Sequence, residues 1–316
     1  MNFAEICRYF GVPAWKPVKA WTRKSGSVAV EESGTPQERA VRYRVGHKEF
    51  TAKWILGPDG DWWQSEYPVK TAEDLTLFRA LTEEESIIPA PDLLAAAVTM
   101  LGESGVPALQ LPSKPFARLL LEMVGYSEGL FILMEGEDEL PGMMKAAEER
   151  YAGQVKAVVE ACRGIAGVRF AYSPDNLDAS FISSAHFEAY MLEGYRAAAD
   201  ILHGEGYIHT VHAGGPVGSL LDLVKDSGID CIAGICGPPQ GDTPLPEARR
   251  KAGPDLVLWG GLAQDFFMPS VEEDDFITAL AKAETESDSR CIIGIADHVP
   301  VEASLERIKK AASFPF

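Results

Sequence analysis

At 316 residues, with 46% hydrophobic and 24% charged, the chain has an ordinary globular composition and the length to bury a barrel-sized core. Its 29 Lys and Arg against 47 Asp and Glu leave a net charge of −18. Such a surface repels phosphate backbones and anionic lipid, so nucleic acid and membrane are excluded as expected partners. No apolar run reaches the roughly 20 residues of a membrane helix. The opening "MNFAEICRYFGVPAW" lacks the basic-then-apolar order of a secretory signal, so the expected compartment is the cytoplasm. Five cysteines without a C-x-x-C pair argue against a disulfide framework and a zinc ribbon.

In chain order, residues 27–67 show short alternating runs, "SVAVEES", "RAVRYRV" and "KEFTAKWILGPDGDWWQSEYP", with "GPDG" (57–60) as a hairpin signal. A small antiparallel β element is predicted there. Thr71, three residues before Asp74, is a capping-box-like helix start. From about residue 85, apolar runs alternate with amphipathic helices. The runs are 86–90, 106–112, 167–173, 207–213, 229–235, 256–261 and 291–296. The segment 185–204 reads as one helix. In "DTPLPEARRKAG", Thr243 reads as a cap, Pro244 as the first helical residue and Gly253 as a stop.

Apolar strands alternating with helices imply a parallel sheet covered on both faces. Asp175, His212, Cys236, Gln264, Asp297 and His298 fall at or just past the ends of different strands. Chemistry spread over many strand ends is the layout of a TIM-barrel mouth, whereas an open sheet concentrates it at one switch point. The expected fold is therefore α/β, a (β/α)8 TIM barrel over residues 1–316, with 1–70 as an N-terminal extension.

His209 and His212, three apart on a strand, point to opposite faces, and His212, just before "AGG", is the one expected at the mouth. In "GPPQGD", Asp242 either faces the mouth or serves the following helix. Asp297 and His298 are neighbours, so one of them, Asp297, is taken as the site residue. Asp175 closes another strand; Asp178 and Glu188 follow it and read equally well as solvated. Cys236, with no paired cysteine, is a weak thiolate candidate. One histidine with several carboxylates suits either a metal held by nitrogen and oxygen or metal-free acid–base chemistry.

"EYPVKTAEDL" (66–75), "HAGG" (212–215), "GIDCIAGICGPPQGDTPLPEAR" (228–249), "LWGGL" (258–262) and "IIGIADHVP" (292–300) resemble the uroporphyrinogen decarboxylase superfamily. The likeness leans to its corrinoid-dependent methyltransferases. It implies a (β/α)8 barrel and transfer of a methyl group from a methylated small molecule to a corrinoid carried by a separate protein. In the family's zinc enzymes a strand-end His-x-Cys and a later cysteine bind the metal. Here His212 matches the histidine, Gly214 stands at the first cysteine and Asp297 near the second. The resemblance thus implies Zn2+ on His212, Asp297 and Glu188, or, without metal, His212 or Asp175 as proton donor, with Asp242 nearby. The alternatives are a carboxy-lyase and a non-catalytic barrel that binds a corrinoid or another ligand. "GVPAWKPVKAW" (11–21) has lysines where the decarboxylases carry an arginine-rich grip on substrate carboxylates, which counts against the lyase.

Overall fold

The structure is a computed structural model and describes residues 3–315. Its strands are β1 (Ala14–Val18), β2 (Trp21–Lys24), β3 (Ala29–Gly34), β4 (Glu38–Val45), β5 (Lys48–Leu56), β6 (Trp62–Glu66), β7 (Ser86–Pro89), β8 (Gly105–Gln110), β9 (Phe170–Leu177), β10 (Ile208–Ala213), β11 (Cys231–Ile235), β12 (Val257–Leu262) and β13 (Cys291–Ile295). Seven of them form one parallel sheet in the order β1-β8-β9-β10-β11-β12-β13. Trp15 of β1 meets Phe170 of β9 at 5.4 Å and Trp259 of β12 at 5.0 Å between ring centroids, both edge to face. The first, third and sixth strands of a sheet touch in this way only when the sheet curls on itself. Each such ring pair adds about 0.5–1.5 kcal/mol beyond its buried area, and half-buried aromatic side chains meet across the interior.

The expected eighth strand is not found among the described residues, and the sheet is a curled half-barrel with β1 and β13 as its edges. The helix Phe3–Phe10 packs on β1 and on the helix Leu305–Ala312, so helices rather than a strand lie beside that edge. Strand membership differs as well. Residues 86–89, expected in the barrel, pair antiparallel with β2 outside it. Their place is taken by β1, "AWKPV", from within the segment 1–70. Lys16 and Pro17 break the apolar run that marks a buried strand. An edge position tolerates both, because Pro lacks a ladder donor and Lys discourages further pairing.

The N-terminal antiparallel element is present as the four-stranded sheet β3-β4-β5-β6, with residues 57–60 turning between β5 and β6. Phe50 and Val28 bury one side of it in the main core beside Leu75 and Phe78. Asp74 accepts the Thr71 backbone N–H at 3.1 Å, the expected capping box. The helices Leu140–Ala161 and Leu192–Gly204 cover the sheet through Val155, Val158, Ala198 and Leu202, packed on Leu109 and Ala171. Residues 185–204 form two helices, because Met191 (φ −129°) leaves the helical region between Tyr190 and Leu192. Thr243 is not the cap expected of it. Its hydroxyl donates to Asp242 at 2.6 Å, and the helix Leu245–Ala252 begins after Pro244 and stops at Gly253. Among the described residues no helix is long and apolar enough to cross a membrane.

Candidate functional site

Strand alternation divides the polar residues into two groups. On β9, Ala171, Ser173, Asp175 and Leu177 are buried against the helices, and Tyr172 and Asn176 take the other face. On β10, His209, Val211 and Ala213 go to the helices, and Thr210 and His212 to the barrel interior. Asp175 and His212 therefore lie on opposite sides of the sheet.

At the mouth, His212 Nε2 stands 3.9 Å from Asp297 Oδ1, with the two side chains 22% and 23% exposed. That distance is too long for a hydrogen bond, so neither group is committed to the other, and an atom that bonds both must approach from the side rather than lie between them. Burial holds the His212 imidazole below its ordinary pKa, opposed by Asp297 and reinforced by His298. Asp297 also accepts the His298 backbone N–H at 2.8 Å, and His298 itself is exposed. Burial pushes the Tyr172 hydroxyl up, with Asp297 among the charges it feels. The Gln264 backbone N–H donates to Gln240 Oε1 at 2.9 Å, which ties the loop after β12 to that after β11.

Behind the sheet, Asp175 is fully buried. It accepts the Lys114 backbone N–H at 2.7 Å and the Tyr195 hydroxyl at 2.7 Å. Its carboxyl is pushed up to about 6, chiefly by burial. The Lys114 ammonium, also fully buried, pairs with Glu148 and lies 4.2 Å from the Tyr151 ring centroid. His209 bonds Ser173 Oγ at 2.9 Å, and burial drops its pKa to about 3. This network sits between sheet and helices, away from the mouth.

The other expected residues are dispersed. Asp242 Oδ1 accepts from the backbone N–H groups of Val217 and Gly218, at 3.0 and 3.1 Å, and from Thr243. It pins the loop after β10 to the loop after β11. Those bonds outweigh its partial burial and hold its carboxyl below the usual range. Asp178 accepts from Ser180, and Glu188 is exposed on the helix Ser184–Tyr190. Cys236 is buried and its thiol is pushed up to about 11, so it stays protonated rather than serving as a thiolate.

Zinc takes three or four protein ligands. Of the residues expected to hold it, only His212 and Asp297 meet. Among the described residues no group of three or more His, Cys, Asp and Glu side chains is placed to hold a metal ion. The donor set does not fit the zinc that the resemblance implies. Nor does the cavity of about 410 Å³ between the loop 237–245 and the helix Glu273–Glu286 take in the His212–Asp297 pair. Sequence reading missed Asn176 and Tyr172, although the alternation around Asp175 carried the signal for both. Lys114 and Tyr195 gave none, because their partners are distant in sequence.

No protein-family model matches the chain, and no curated protein matches it. Among solved structures, a methyltransferase from Methanosarcina mazei matches with a TM-score of 0.57 and 14% identity, over 98% of this chain and 82% of that one. A protein described as a vitamin-B12-independent methionine synthase from Listeria monocytogenes gives 0.43 and 13%, over 70% of this chain and 66% of that one. At such identities the first likeness is one of fold, and the second carries no argument. The chain is an α/β protein of TIM-barrel-like architecture, its seven-stranded sheet incompletely closed.

Proposed function

We propose that the chain is a methyltransferase that moves a methyl group from a methoxylated or other methylated small molecule to a corrinoid on a separate carrier protein docked over the mouth. The observation that carries this reading is the uncommitted His212–Asp297 pair at the mouth of the curled sheet. The sequence resemblance and the shared fold with a methyltransferase support it.

A methyl ether is a poor methyl donor because its leaving group is basic, and protonation removes that obstacle. His212 as imidazolium gives its proton to the ether oxygen while the carbon–oxygen bond breaks. The alcohol or phenol leaves neutral, and the methyl passes to the acceptor. When bound, the reduced corrinoid supplies the electron pair that takes the methyl. Asp297 stabilises the imidazolium through space, and Trp15, Phe170 and Trp259 contact one another inside the curled sheet. No step is assigned to zinc.

The test is methylation of a reduced corrinoid protein, followed by its absorbance, with a methoxylated aromatic donor. His212→Gln is expected to lower kcat about 10²–10⁴-fold. Because the His212 pKa lies below 6.5, kcat/KM of the native protein rises as pH falls from 7 toward that value. Failure to methylate the carrier with any methyl donor would sink the reading.

A further inference from the structure

Gly214 lies two residues beyond His212, where the resemblance places a metal ligand. A Cβ there would fall 1.8 Å from Asn176 Oδ1, 2.6 Å from its Cγ and 2.9 Å from its Nδ2. The space is therefore filled, and a carboxamide from the neighbouring strand fills it. No side chain at 214 coexists with Asn176 in this position.

Asn176 is held there. It is the one non-glycine residue with positive φ (48°) among those described, a conformation that asparagine tolerates better than most and that persists where the surroundings enforce it. Its Nδ2 donates to the Tyr126 hydroxyl at 3.0 Å. The Tyr126 ring is stacked on Phe181 at 3.9 Å. That anchor turns Oδ1 toward Gly214, on the strand beside His212, and among the described residues no protein donor bonds it.

We propose that Asn176 is a ligand-binding residue: its carboxamide oxygen accepts a hydrogen bond from an O–H or N–H donor on the small molecule held at the His212–Asp297 pair. Identifying that molecule as the methyl donor rests on the proposed function. The substrate class narrows to methylated compounds bearing a hydroxyl, amide or ammonium donor next to the methylated atom. A site built to accept such a donor discriminates against the analogue that lacks it.

The probes are 2-methoxyphenol, which carries the adjacent hydroxyl, and 1,2-dimethoxybenzene, which does not. Both are titrated calorimetrically into the native protein and into Asn176→Gly, a change the positive φ accepts without strain. The native protein is expected to bind the phenol at least tenfold tighter, and Asn176→Gly to bind both probes alike. Gly214→Ala should lower Tm in the native background and leave it nearly unchanged beside Asn176→Gly. Equal binding of the two probes by the native protein, binding of neither, or a preference retained by Asn176→Gly overturns the proposal. Selective binding without carrier methylation removes the methyl-transfer reading and leaves Asn176 in place. Turnover of both probes with equal kcat/KM does the reverse.

Discussion

Adjacent residues of β9 do opposite work. Asp175 turns to the helices, loses all contact with water, and spends both oxygens on Lys114 and Tyr195. Asn176 turns to the mouth with its oxygen free of protein donors among the described residues. The same contrast divides β10, where His209 is buried against Ser173 and His212 stands 3.9 Å from Asp297 without a hydrogen bond. Polarity at a strand end therefore does not mark a site; freedom from protein partners does. Behind the sheet Asp175 has both oxygens bonded, whereas at the mouth the Asn176 oxygen and the His212 imidazole have no protein hydrogen-bond partner among the described residues.

The largest loss of stability is expected on the buried side. Lys114→Met strips Glu148 of its partner and leaves two buried carboxyls, and should cost about 3–5 kcal/mol in chemical denaturation. Adding Glu148→Leu should recover much of it, since exchanging a whole buried pair for apolar groups is close to neutral. A Lys114→Met protein as stable as the native one would break the contrast.

Asp175 gives a pH signature. Its folded pKa of about 6 lies above the ordinary 3.8, so the folded state keeps a proton that the unfolded chain has released. Its contribution to stability is complete below about pH 3.8 and is lost as pH rises through 6, roughly 3 kcal/mol over the window. His209 works the other way. Held neutral at a pKa of about 3 against 6.5, it loses its contribution as pH falls below 6.5. The two overlap, so the measurement is a difference: native minus Asp175→Asn stability should fall from pH 4 to pH 7. A flat difference would mean that Lys114 fully offsets the burial of Asp175. A smaller effect is expected at Asp242→Asn. It weakens three charge-assisted hydrogen bonds that join two mouth loops, costing about 1–2 kcal/mol by thermal unfolding.

The chain shows how far sequence periodicity reaches. Six strands of the parallel sheet follow apolar runs bounded by glycine and proline, and the hairpin at 57–60 was legible from its turn residues. β1 was not, because Lys16 and Pro17 hide an edge strand whose membership is decided by Trp15 meeting Trp259, 244 positions further on. At the site, the opposed faces of His209 and His212 followed from strand geometry alone. The filling of the Gly214 space by Asn176 depends on how neighbouring strands stagger, and the meeting of His212 with Asp297, three strands apart, on how the sheet curls; neither is present in local pattern.

Glu188 sharpens the contrast from its quiet end. The resemblance puts it among the zinc ligands, and the structure leaves it exposed on the helix Ser184–Tyr190, beside the buried Phe187. An exposed carboxylate of this kind contributes little, so Glu188→Ala should change stability by less than about 0.5 kcal/mol. Carrier methylation should also be unchanged, whereas His212→Gln abolishes most of it. Zinc bound by the native protein and lost in both variants would show that the helix moves to the mouth on metal binding. The site would then be completed by its ligand, and the separation of Glu188 from His212 would belong to the metal-free state alone.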